Sequence, residues 1–391
     1  MALAVPPALR HAPFRLWFAA AVPFVLAIWA QRVAFGWLAW TATEDAGFVG
    51  LVAALQTLPM VLVGPVFGAM VDRAEGTAAL RATSLGMASL VALAAWAEGA
   101  GALSPALLCV LALGVGVATA GHHPVRLSLA PRLAPPEAIP SVVALGAVNF
   151  NLARLAAPVV TGAAIAAFGP GVPLAAAAAM MVPLGLVAGW LEPRALEAPR
   201  RALLQSMREG AAHVLAHAPV ARAFALTAVM SVVLRGYLEL LPVMASGVHE
   251  RGADGLGWLM ASAGLGALAA AVARVLGASG GVAPMLAGGM VAVAVTGQAG
   301  AWGGALMGTA AVGFVSTWCG VGLQQAVQAA LPDALRGRVM SLWVVAALGA
   351  VALGAGALGA LANAVGLPWA MVAGGAVGLI ATLPFLRARP T

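Results

Sequence analysis

The chain has 391 residues, of which 62% are hydrophobic and only 8% charged, against roughly 25% charged in an ordinary soluble domain. So few charges cannot clothe a water-facing surface, and apolar stretches long enough to cross ~30 Å of hydrocarbon as helices recur from one end to the other. The formal charge of +7 resides in arginines scattered singly or in pairs at the ends of apolar runs, a topology signal rather than a nucleic-acid footprint.

With charges, glycines and prolines as punctuation, spans are expected near 14–40, 47–70, 79–98, 103–124, 139–167 and 171–191. A second set follows near 218–244, 254–275, 283–300, 303–330, 339–363 and 368–386. Runs such as 51–70 are apolar on every side, whereas barrel strands would alternate, so the class is an all-α membrane protein. The first run continues past Pro23 to Trp40 without a short h-region and cleavage site, and reads as a retained span. The only long polar connection holds Arg194, Arg200, Arg201, Arg208 and Glu209. It divides the chain into an N-terminal six-helix bundle (1–191), a cytoplasmic central loop (192–217) and a C-terminal six-helix bundle (218–391).

The side richer in arginine stays in the cytoplasm. With both termini inside, sixteen of the twenty basic residues, from Arg10 and Arg15 to Arg387 and Arg389, fall on or next to that side. Only Arg251 falls outside, and Arg32, Arg154 and Arg235 sit within spans. An odd number of helices would destroy this asymmetry. The halves also carry a faint repeat: 161–169 in the fifth span matches 358–366 in the eleventh, and at the same offset 141–145 matches 338–342.

Local motifs sharpen this picture. Gly68-Ala-Met-Val-Asp72-Arg73 lies between the second and third spans. Leu55-Gln-Thr-Leu-Pro-Met60 precedes Gly64-Pro65, and Leu331-Pro-Asp-Ala-Leu-Arg-Gly-Arg-Val-Met-Ser-Leu342 joins the tenth and eleventh spans. Together with six plus six helices and a basic central loop, these make the chain resemble the major facilitator superfamily, in its bacterial siderophore and drug exporter branch. The resemblance implies two pseudo-symmetric six-helix bundles. It also implies a cytoplasmic gate in which Asp72 meets the start of the eleventh helix near Arg336 and Arg338, with Gly68 and Arg73 completing the loop. The sequence departs from the family pattern where Glu75-Gly76-Thr77 stand in place of a glycine and two basic residues. The fifth-span Ala157-Pro158-Val-Val-Thr161-Gly162 keeps only the small side chains of the antiporter pattern.

Charge inside hydrocarbon is costly, so Arg32, Arg154, Arg235 and Glu239 are candidates for a substrate or proton pathway. Arg235 and Glu239 stand four apart on the seventh helix, on one face; they form either a buried structural pair or a switch in which movement of the arginine changes the proton affinity of the carboxylate. Gln31 precedes Arg32 on the first helix. Arg154 has Asn149 and Asn151 nearby, so the guanidinium serves either an anionic or carbonyl-rich substrate or an intramembrane hydrogen bond. His122 and His123, beside Pro124 at the end of the fourth span, point ~100° apart and suit a shared metal poorly, which favours a structural role. Trp17, Trp29, Trp37 and Trp40 are either interfacial anchors or cavity walls.

Cys109 and Cys319 lie far apart in apolar runs, which indicates neither a disulfide framework nor a metal cluster. No phosphate loop, zinc-spaced set or nucleophile elbow is present in the sequence, so neither an enzyme nor a cofactor is expected. The expected function is secondary active export of an amphipathic small molecule, drug-like or siderophore-like, by proton antiport. The expected setting is a bacterial inner membrane, with the lipid bilayer as surroundings, the chain as a monomer and no nucleic-acid partner. Uptake, uncoupled transport or lipid flipping on the same fold, and a non-transporting scaffold or sensor, are the alternatives.

Overall fold

The computed structural model describes residues 6–64, 67, 76–194 and 203–386, with the side chains at 203–207, 333, 334, 336 and 337 outside the description. Apart from short turns, the described residues are helical. The N-terminal set is α1 (Ala12–Thr43), α2 (Ala46–Leu62), α3 (Gly76–Gly99), α4 (Pro105–Leu129), α5 (Ile139–Phe168) and α6 (Gly171–Val187). A connecting helix, α7 (Leu203–Ala216), leads to α8 (Ala218–Met230), α9 (Gly252–Val275), α10 (Val282–Gly297), α11 (Trp302–Ala330), α12 (Asp333–Val365) and α13 (Leu367–Leu386). Ten of the described helices are long and apolar enough to cross a bilayer; α2 and α10, with 17 and 16 residues, are shorter apolar helices. Twelve apolar helices result, as the sequence led one to expect. Their outer faces carry large apolar side chains, among them Val160, Val275 and Ile380, each more than 60% exposed. Such surface fits lipid and not water.

Local chemistry sets the helix ends. Ser104 caps α4 by accepting from the Leu107 N–H at 3.2 Å, with Pro105 in the first turn, where its missing N–H costs nothing. Asp45 caps α2 by accepting from the Phe48 N–H at 2.6 Å. Gly169 and Gly366 close α5 and α12 with φ of 80° and 83°, each N–H reaching back 2.8 Å to a carbonyl four residues earlier. These are the final residues of the two repeat segments, so the weak sequence repeat ends on the same turn twice.

Two elements depart from expectation. The fourth helix continues through Pro124 to Leu129 instead of ending near residue 124, because a proline inside a spanning helix is tolerated where neighbouring groups re-satisfy the backbone. The seventh span is not one regular helix. After Met230 it widens into a π-type turn, Ser231–Arg235, returns to α over Gly236–Glu239, and widens again over Val243–Val248. The widened turn lies where α12 comes closest: a Cβ at Gly354 would strike the Val232 backbone, and one at Gly236 would meet Gly354.

By contacts the chain forms two compact units, residues 1–35 with 62–200 and residues 36–61 with 201–391. The division does not follow the halves read from the sequence, since the end of α1 and nearly all of α2 group with the C-terminal helices. In the first unit α3 packs between α4 and α6 over a core that includes Met87, Val91, Leu111, Val115, Leu174 and Leu184. In the second unit α9 crosses α11 at reciprocal glycines, Gly266 against the Ala310 carbonyl and Gly313 against the Ala263 carbonyl. Without a hydrophobic drive between helices in lipid, such backbone proximity supplies the association. Also in this unit, α10 packs on α11 and α13, and α7 lies on α12. Helix α2 is tied to α12 by a clasp: Asn363 Nδ2 donates to Asp45 Oδ1 at 2.7 Å and Asn363 Oδ1 accepts from the Gly47 N–H at 3.1 Å.

Candidate functional site

In the first unit α1 and α5 bring several of the expected polar residues together. Asn149, 7% exposed, donates through Nδ2 to the Ala21 carbonyl at 3.4 Å and so ties α5 to α1. Two turns along α1 from Ala21, Trp29 meets Phe150 edge-on, with centroids 5.7 Å apart. Gln31 is buried; its Nε2 donates to the Ile28 carbonyl at 3.2 Å, while its Oε1 is enclosed without a partner. Arg32 beside it is half-buried. Farther along α5, Asn151 donates to Ala147 O at 2.8 Å, and Arg154 Nη2 donates to Asn151 Oδ1 at 3.4 Å. Arg154 thus has the intrahelical amide partner that was one of its two expected uses.

The same unit holds a polar pair that the sequence analysis did not single out. Because α4 runs on to Leu129, Arg126 belongs to its last turn and is 7% exposed. His122, one turn earlier, is 1% exposed and stacks on Phe24 with centroids 4.2 Å apart. The available signal was the spacing His122–Arg126, four residues on one face, hidden by reading Pro124 as a stop.

In the second unit Arg235 ends the π-type turn and Glu239 ends the α-helical stretch that follows, both half-buried. The Arg235 guanidinium lies against Gly320 of α11, where a Cβ would come within 3.0 Å of Nη2. Between them Tyr237, fully buried, shares a 2.8 Å hydrogen bond with Thr309, also of α11. The sequence did not single out this pair, since a lone tyrosine and a threonine in apolar runs carry no pattern. A carboxylate and a guanidinium set into one apolar span, beside a hydroxyl pair shared with α11, can bind a polar group or take up a proton.

Of the expected cytoplasmic gate, Gly68, Asp72 and Arg73, and the side chain of Arg336, lie outside the described residues. Arg338 forms an ion pair with Glu209 of α7, and Gly210 packs beside it against Arg338 and Leu342. The central connection therefore contributes the described partner of the eleventh-span arginine. On another edge of the unit Arg274 stacks over Trp318 at 4.4 Å and donates to its carbonyl at 2.8 Å, an arrangement that holds a cation at a helix end. Among the described residues no three His, Cys, Asp or Glu side chains are grouped to hold a metal ion.

Comparison with known proteins agrees with this architecture. A stretch of 265 residues, 66% of the chain, is 25% identical to "Uncharacterized MFS-type transporter y4rN" of Sinorhizobium fredii (strain NBRC 101917 / NGR234), and the match spans 62% of that relative's length. The fold is similar to the crystal structure of a point mutant of the nucleoside transporter NupG, with a TM-score of 0.72 and 12% identity over 96% of this chain and 98% of that one. It is also similar to a bacterial homologue of the human lysosomal transporter Spinster in an inward-facing, unoccupied conformation, with a TM-score of 0.71 and 14% identity over 97% and 99%. At such identities the likeness speaks for the fold alone. The profile of the transmembrane secretion effectors matches residues 4–390, and the chain belongs to that family of multi-pass membrane transporters of the major facilitator superfamily.

Proposed function

We propose that the protein exports an amphipathic small molecule, drug-like or siderophore-like, by alternating access in exchange for protons. Its proposed setting is a bacterial inner membrane, with both termini in the cytoplasm and the chain acting as a monomer. The observation that carries this reading is the set of polar side chains interrupting apolar spanning helices: Gln31 and Arg32 on α1, Asn149 and Arg154 on α5, Arg235 and Glu239 on the seventh span. Each is expensive in hydrocarbon and unnecessary for a merely structural bundle. The description of the family as secretion effectors favours outward movement. In this reading the bundles 1–191 and 218–391 rock about the polar residues, and Gly68, Asp72, Arg73, Arg336 and Arg338 gate the cytoplasmic side. Uptake of a polar cargo is the second reading, favoured by the fold shared with a nucleoside transporter.

Proton movement in proteoliposomes containing wild type or Glu239→Gln tests the proposal, with siderophore-like and drug-like compounds as probes. Substrate added outside acid-loaded vesicles should drive proton efflux through the wild type and not through the variant. Efflux retained in Glu239→Gln would return Glu239 to a structural pair with Arg235. Substrate accumulation in the same direction as protons would replace export by uptake.

A further inference from the structure

Two polar groups buried in the first compact unit lack a partner among the described residues, and they stand one turn apart on α4. No acceptor among the described residues reaches the guanidinium of Arg126, which is 7% exposed. His122, four residues earlier and so on the same face, has an enclosed Nε2 with no hydrogen-bond partner. The chemistry of its ring follows from its neighbours on α3. His122 Nδ1 lies 3.3 Å from Thr83 Oγ1 and 3.4 Å from Ser84 Oγ. The Thr83 hydroxyl donates to the Ala79 carbonyl at 2.8 Å, which leaves its oxygen free to accept from His122 in the tautomer whose Nδ1 carries the proton. In that tautomer Nε2 presents a lone pair. The Phe24 ring stacked on the imidazole gives the site an apolar wall.

Ordinary roles account poorly for this pair. Arginines near the end of a spanning helix snorkel to water with the head exposed, whereas this side chain is nearly enclosed. A buried guanidinium without an anion is costly, and none of the described residues supplies one.

We propose that Arg126 and His122 form a binding site for an oxyanion, the carboxylate or phosphate head of an amphipathic ligand. The planar guanidinium offers two parallel donors to two oxygens of such a group. His122 Nε2 accepts the hydrogen of a protonated oxygen on the same head, or takes up a proton that arrives with it and then donates in turn. An oxyanion together with one proton satisfies both orphan groups. The proposal rests on the transport reading in so far as the head belongs to cargo; an anionic phospholipid headgroup offers the same chemistry, and the experiment separates the two.

Purified protein in phosphatidylcholine nanodiscs is titrated with dansyl-undecanoic acid and with its methyl ester, followed by energy transfer from tryptophan and corrected with empty discs. The acid should bind about tenfold tighter than the ester, the advantage of one charge-assisted contact. Arg126→Gln should bring the acid to the level of the ester and leave the ester unchanged, while Arg126→Lys keeps part of the preference and His122→Asn reduces it. Discs containing phosphatidylglycerol identify the source: competition in proportion to its mole fraction makes the occupant a lipid headgroup, and indifference makes it a soluble ligand. Equal binding of acid and ester by wild type, or a preference that survives in folded Arg126→Gln, overturns the proposal. Should Arg126→Gln not elute as a single folded species, an unchanged preference in both Arg126→Lys and His122→Asn overturns it instead. Because binding is read without transport, acid preference without flux keeps the site and removes the transport reading, and flux without acid preference does the reverse.

Discussion

The Tyr237–Thr309 hydrogen bond joins two side chains that have no access to water, so each hydroxyl depends on the other. Tyr237→Phe leaves the Thr309 hydroxyl buried and unsatisfied, at a cost of ~1–2 kcal/mol. The unfolding midpoint in detergent should fall accordingly, and a midpoint unchanged within error would mean that another acceptor takes over. Asp45 is a second case, outside the spanning helices. The Asn363 amide, and then the Phe48 N–H, hold its carboxyl below its ordinary value of 3.8. A folded pKa below the unfolded one contributes stability that is full above 3.8 and is lost as pH falls through the folded value. Asn363→Ala removes the largest cause. The gap in midpoint between wild type and Asn363→Ala should therefore be widest above about pH 4 and close in acid; a gap indifferent to pH would show that Asn363 acts through packing alone.

Helix α9 meets α11 through Gly266, where a Cβ would run into the Ala310 carbonyl, a backbone atom that cannot swing aside. Gly266→Ala should part the two helices and cost ~1–3 kcal/mol, as overpacking does. Gly288 of α10 has nothing within 4 Å of the same position, so Gly288→Ala should leave the midpoint unchanged or raise it slightly. Equal losses in the two variants would point to a general intolerance of alanine rather than to the crossing. The element ends were more legible than the crossings. Ser104-Pro105, Gly169 and Gly366 mark boundaries through caps that depend only on local residues. The π-type turn at Ser231–Arg235 has no such mark, because it accompanies the approach of Gly354 from a helix more than a hundred residues away.

Over the whole molecule the arginine distribution leads to an orientation that labelling can check. A cysteine replacing Ser104, in the turn before α4, should react with a membrane-impermeant maleimide from outside intact cells. One replacing the exposed Glu137, in the turn after α4, should react only after permeabilisation, with Cys109 and Cys319 first exchanged for serine. Reaction of both from the same side would remove the expected topology. Such a result would leave the fold standing, since the fold rests on apolar spans and the orientation on charge bias.

Composition and spacing determined the membrane class, the number of apolar helices and most of their ends, and local motifs carried the resemblance to the superfamily, because each depends on residues close in sequence or on the cost of polar groups in hydrocarbon. Of the candidate residues, Arg154 was placed near its partner Asn151 for the same reason: both lie on one turn of α5. Tertiary structure decided the rest. It buried Arg126 by carrying α4 past Pro124, and joined Arg338 to Glu209, 129 positions apart. It set Tyr237 on Thr309 and clasped Asp45 to Asn363. Those contacts depend on which faces of distant helices meet, and in lipid that choice is made by the fit of small side chains and the pairing of polar ones, which no single helix specifies by its own pattern.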